Sequence, residues 1–136
     1  MSAGRRDRGS VTVLAALAGL AMLLLAGLVI DGGGRLRAAG RADRVAAEAA
    51  RAAAQAADTR GPALTLDHPA AVAAARRYLT AAGLTGTVTI TGPRTVRVTA
   101  SVRGHDLILG LLGHPGYAIT RRASATIAVG VGQAGH

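Results

Sequence analysis

VTVLAALAGLAMLLLAGLVI, residues Val11 to Ile30, runs for twenty positions without a charge. As an α-helix it is about 30 Å long, which matches the hydrocarbon core of a bilayer. Its bulky anchor residues are Val11, Leu14, Leu17, Leu20, Leu23, Leu24, Leu25, Leu28 and Ile30, and only Thr12, Gly19 and Gly27 soften the run. Thr12 is cheap near a helix end, because its hydroxyl can bond back to a carbonyl of the preceding turn. Charge returns at both edges, as Arg5, Arg6, Asp7 and Arg8 before the stretch and Asp31 and Arg35 after it. The pattern predicts a retained membrane anchor. A cleaved signal fits less well: signal cores are about 7 to 15 residues long, and LVIDGGGRLR has no small-x-small exit. Asp7-Arg8 also displaces the apolar residues that should follow a twin-arginine pair.

Orientation does not follow from charge, since Arg5, Arg6 and Arg8 on one side face Arg35, Arg37, Arg41 and Arg44 on the other. Everything larger follows the anchor. The expected topology is therefore a single pass through the cell membrane, with residues 1–10 a basic cytoplasmic tail and the C-terminal domain outside.

The 136 residues leave room for one anchor and one small domain. Aromatic residues amount to 1 %, only Tyr78 and Tyr117, so the core has to be built from Val, Ile, Leu and Ala. Such a core buries little area per residue. With no cysteine, thiol chemistry, Cys-ligated zinc and the usual staple of small exported domains are excluded. The net charge is +9, and all sixteen basic residues are Arg. No Arg cluster is interleaved with aromatics for base stacking, so no nucleic-acid partner is expected. Scattered, solvated Arg near a membrane points instead to contact with anionic lipid.

Residues 31–60 read as a glycine segment followed by an Ala-rich helix. Gly32-Gly33-Gly34 weakens a helix by about 1 kcal/mol per Gly relative to Ala, which predicts either a hinge or a thinned stretch of continuous helix. No Gly-Lys-Ser/Thr follows, so this is not a phosphate loop. From Arg35 to about Thr59, Arg37, Arg41, Arg44, Glu48, Arg51, Gln55 and Asp58 alternate at spacings of four and three and form one polar stripe. Glu48 lies within reach of Arg44 and Arg51. The other surface is alanine, with Ala42, Ala46, Ala49, Ala53 and Ala56 as a packing face that allows close approach. Arg60-Gly61-Pro62 ends the helix.

Residues 61–136 read as a small exported α+β domain. Asp67 or His68 caps a short helix with Pro69 in its first turn; Val72, Ala75, Leu79 and Ala82 share a face, and Gly83 stops it. Beyond Gly83 the period changes to two. Thr87–Thr91 and Thr95–Arg103 flank Gly92-Pro93-Arg94 and predict a β-hairpin that buries Val88, Ile90, Val96, Val98, Ala100 and Val102. Asp106–Leu112 is a short apolar connector with a helical turn. A third strand from Tyr117 to Val131 turns Ile119, Ala123, Ala125, Ile127 and Val129 inward. The fold class is thus α+β: a transmembrane helix continuing into an Ala-rich helix, a short helix, and a three-stranded antiparallel sheet covered by helices.

Catalysis finds no footing in the pattern. His68, His105, His114 and His136 each adjoin Gly, Pro or the terminus, or sit in no ligand spacing, so neither a metal nor another cofactor is expected. His105-Asp106 reads as a solvated turn. Ser10, Ser101 and Ser124 belong to no nucleophile elbow.

The order of elements resembles a known family. Arg8-Gly9-Ser10-Val11-Thr12-Val13-Leu14 through Ile30-Asp31, continuing along RADRVAAEAARAAAQAAD to Ala57-Asp58, is similar to the N-terminal region of TadE/TadG-like proteins. These are membrane-anchored, pseudopilin-like components of the Flp (tight adherence) pilus-assembly system. The resemblance implies a non-enzymatic structural role in building or anchoring a surface appendage. Its implied partners are membrane lipid, other Tad/Flp pilus-assembly membrane proteins, and a second copy of the chain. It also makes Gly9-Ser10 the candidate leader-cleavage site. Pilin-like members processed there carry Glu five residues after the Gly, where this chain has Leu14. That departure places it nearer the TadG-like members and predicts an uncleaved anchor. The alternative reading is a small single-pass subunit that binds or regulates another membrane protein; an exported polymer-binding module using its Arg ranks below both.

Overall fold

The computed structural model describes residues 4–58, 60–114 and 116–127. Helix α1, Gly4–Ala54, is 51 residues long and runs unbroken through Gly32-Gly33-Gly34. Of the two readings of the glycine segment, the continuous helix is the one observed. Bonds made by Asp31 and Arg35 lie at either end of the three glycines and hold both edges of the weak turn. Thr12 Oγ1 donates to the Arg8 carbonyl at 2.9 Å, the back-bond its position predicts.

The Ala-rich helix was expected to reach Thr59, but α1 stops at Ala54. Ala57–Asp58 instead form a short strand, β1, antiparallel to β2, Thr65–Leu66. The physical reason is the reversal that Gly61-Pro62 imposes. The Asp58 carboxylate accepts the Arg60 backbone N–H at 3.0 Å and turns the chain before another helical turn can form. Alanine propensity alone cannot register that competition.

The chain divides into two compact units. One comprises Met1–Leu36 with Gly104–Tyr117, the other Arg37–Arg103 with Ala118–His136. In the second, Ala42, Ala46, Ala49, Ala50 and Ala53 of α1 are buried together with Leu66, Leu84 and residues of the helix and strands that follow. Helix α2, His68–Ala81, begins with the Asp67 side chain accepting the Ala70 N–H at 3.1 Å, with Pro69 in the first turn. It buries Ala71, Ala75 and Leu79, whereas Val72 and Ala82, expected on the buried face, are only half-buried. Gly83 takes φ +70°, which lets its N–H reach the Thr80 carbonyl and the Leu84 N–H the Leu79 carbonyl. This is the left-handed stop that glycine makes inexpensive.

Strands β3, Thr85–Gly92, and β4, Thr95–Gly104, form the hairpin, pairing Thr87 with Thr99, Val88 with Val98 and Ile90 with Val96. Strand β5, Tyr117–Thr126, completes an antiparallel sheet in the order β3-β4-β5. Period two separates the faces. Val96, Val98 and Ala100 are buried with Val88, Ile90, Val102, Ala123, Ala125 and Ile127 packed around them. The wet face carries paired hydroxyls, Thr95 with Thr126 at 3.0 Å and Ser101 with Thr120 at 2.9 Å. Val129, expected inward, lies outside the described residues. Between β4 and β5 the connector forms one helical turn, α3, Ile108–Leu111.

Candidate functional site

The first unit contains a polar cluster at the exit of the apolar run. Gly27, Asp31 and Arg35 recur every four residues, so they share one face of α1. Against that face lies the segment from Gly104 to Tyr117. Asp31, among the few buried charged residues, receives three backbone N–H groups: Leu107 on Oδ1 at 2.9 Å, and Ile108 and Leu109 on Oδ2 at 2.9 and 3.0 Å. These are donors that the start of α3 leaves without helical partners, and one carboxylate satisfies all three.

Four residues on, Arg35 grips Asp106 bidentately, Nε to Oδ1 at 3.0 Å and a terminal nitrogen to Oδ2 at 2.6 Å. The Asp106 side chain is 0 % exposed. Asp106 is therefore not in the solvated turn that its sequence neighbours suggest: its carboxylate is buried because the guanidinium fork supplies the partner that burial requires. The guanidinium also stands 5.3 Å from the centroid of the Tyr117 ring, in cation–π range. One turn before Asp31, Ile108 rests on Gly27, where any Cβ would overlap its side chain.

The electrostatics follow from the bonds. The N–H groups of Leu109 and then Leu107 hold the Asp31 carboxyl below the ordinary aspartate range, against the opposing effect of burial. The bond to Asp106 raises Arg35 above its ordinary value, although partial desolvation works the other way. Asp31, just past the apolar run, is therefore fixed as an acceptor. The cluster joins a helix to a loop, and neither carboxylate has a free oxygen aimed at an open cleft.

The remaining residues singled out from sequence are dispersed. The anchor residues Val11, Leu14, Leu17, Leu20, Leu23, Leu24, Leu25, Leu28 and Ile30 are all exposed, between 47 % and 70 %. Gly9 and Ser10 lie within the early turns of α1. Ala42, Ala46, Ala49 and Ala53 are 0 % exposed and Ala56 packs at the edge of the same core. Along the polar stripe, Glu48 pairs with Arg51 at 2.5 Å, and Asp43 between the stripe's arginines pairs with Arg121 of β5 at 3.4 Å. His68, His105 and His114 are exposed, and His136 lies outside the described residues. Among the described residues no three His, Asp or Glu gather as a metal site would require.

No protein-family model matches the chain, and comparison with curated proteins and with solved structures likewise finds no match.

Proposed function

We propose that this chain is a non-enzymatic, single-pass membrane component of a Tad-type pilus-assembly or related envelope machine, of the TadG-like kind. The observation that supports it most is α1 itself: a helix long and apolar enough to cross a membrane, only 6 % buried over its most apolar window, and continuous with the helix that packs the small domain. Uncovered Leu, Val and Ile over twenty residues are costly in water and comfortable in lipid. The sequence pattern around Arg8–Leu14 and the Ala-rich helix supplies the link to pilus assembly. In this reading the N-terminus is cytoplasmic, the α+β domain is extracytoplasmic, and the protein acts by anchoring and docking.

The test has two arms. Protease added to intact spheroplasts should remove the segment after Arg35 and leave residues 1–30 protected in the membrane fraction; protection of the C-terminal region would invert the topology. Affinity purification from solubilised membranes should recover a secretion ATPase and polytopic Tad-type membrane proteins. Recovery of a transporter or membrane enzyme instead would favour an accessory-subunit role.

A further inference from the structure

We propose that the α3 loop, Leu107 to Leu112, is a second membrane contact, its leucines seated in the same bilayer that α1 crosses. The inference rests on the anchor reading of α1 and adds to it a site of lipid contact that the apolar run does not contain. Three observations point to acyl chains as the occupant.

The first is position. Ile108 packs on Gly27, inside the apolar run by about one helical turn, so the loop lies beside the span. The second is exposure. Leu107, Leu111 and Leu112 are 66 %, 82 % and 67 % exposed, on either side of the Ile108 that rests on Gly27 in the sequence of the loop. Apolar surface of this kind on a short loop is unfavourable in water, and the Ile108–Gly27 contact that holds the loop beside the apolar run makes acyl chains the covering that fits it.

The third is polar accounting. Non-helical backbone is tolerated at membrane depth only when its donors and acceptors are satisfied within the protein. Here Asp31 takes the N–H groups of Leu107, Ile108 and Leu109. At the other end the Leu112 and His114 N–H groups return to the Leu109 carbonyl, and that of Gly113 to Gly110. Just outside, Arg35 neutralises Asp106 and stands over Tyr117, and Arg and Tyr are residue types that settle at the lipid–water boundary. Asp31 thus does for this loop what water would do for an exposed one.

The chain contains no Trp and no Phe, so a single introduced Trp is a clean reporter of depth. Full-length Leu111→Trp, reconstituted in phosphatidylcholine–phosphatidylglycerol vesicles, should show blue-shifted emission and strong quenching by lipids brominated on their acyl chains. Leu23→Trp in the span sets the fully quenched reference, and Arg51→Trp on the polar stripe sets the unquenched one. Leu112→Trp repeats the measurement should Leu111→Trp fail to fold. Quenching of the loop Trp near the Leu23→Trp level supports the proposal. Quenching no greater than that of Arg51→Trp, with Leu23→Trp quenched, overturns it and leaves the anchor standing. An unquenched Leu23→Trp overturns the anchor reading and this proposal with it. Blue-shifted, unquenched emission that disappears as the protein is diluted in lipid would assign the leucines to a second copy of the chain, and also overturns it.

Discussion

Asp31 satisfies three backbone donors with one side chain, and the consequences of losing it are specific. Asp31→Ala removes every acceptor, whereas Asp31→Asn retains one oxygen. Each lost hydrogen bond is worth about 1 kcal/mol, so amide exchange at Leu107–Leu109 should accelerate by at least roughly fivefold in Asp31→Ala and by less in Asp31→Asn. Exchange measured by mass spectrometry on the intact chain checks this; equal rates in the variant and the parent would show that the bonds do not hold the loop. Acid acts on the same contact. Because the folded carboxyl lies below its unfolded value, the stabilisation is fully present above about pH 3.9 and is lost as the pH falls through the depressed folded value. Loop protection should therefore be flat from neutrality to mild acid and fall only below that point. Little of this cluster was legible in the sequence. Asp31 stood out as the charge that ends the apolar run, but its partners lie 76 to 78 residues away, and no periodicity connects them. Asp106 looked like a turn residue because burial of a lone carboxylate depends on Arg35, 71 residues earlier.

At the scale of elements, alanine decides how closely α1 approaches the sheet and α2. Ala49 and Ala53 are fully buried, so Ala49→Leu or Ala53→Leu has to force added methylenes into filled space and should destabilise by about 1–3 kcal/mol. Arg51→Gln alters only an exposed pair with Glu48 and should change stability by about 0.5 kcal/mol or less. Chemical denaturation of the three variants in detergent gives the comparison, and equal tolerance would mean that the alanine face is not close-packed. Here the sequence was readable because each face repeats with its own period. The 3.6-residue stripe exposed Arg37 to Gln55, and the two-residue alternation assigned Val96, Val98 and Ala100 to the inside. Element ends were harder. Ala54 to Asp58 has helical composition, yet the turn at Gly61-Pro62 draws Ala57–Asp58 into a ladder with Thr65–Leu66.

For the whole molecule, the proposed role in pilus assembly turns on Leu14. A pilin-like subunit places Glu at this distance from its leader Gly, and a carboxylate there is costly in lipid and gains by pairing with a neighbour's new N-terminal amine. Leu14 gives no such drive and is 68 % exposed on α1, suited to remaining in lipid. Mass spectrometry of protein purified from membranes should therefore find the Gly9–Ser10 bond intact. A mature chain beginning at Ser10 would show that Gly9 suffices for the peptidase and would make the protein a processed pseudopilin.

The alanine-built interior has a calorimetric consequence. Val96 and Val98 are the largest fully buried side chains, and most of the others are methyl groups. Unfolding such an interior hydrates little apolar surface, and it is that surface which sets the heat-capacity increment and the denaturant slope. Ordinary domains gain about 12–15 cal/mol/K per residue on unfolding. Scanning calorimetry in detergent should place this domain below that range. Its free energy should then vary with temperature along a shallow arc, with weak cold destabilisation and a broad thermal transition. A domain built this way holds a stability that changes little from cold to warm surroundings.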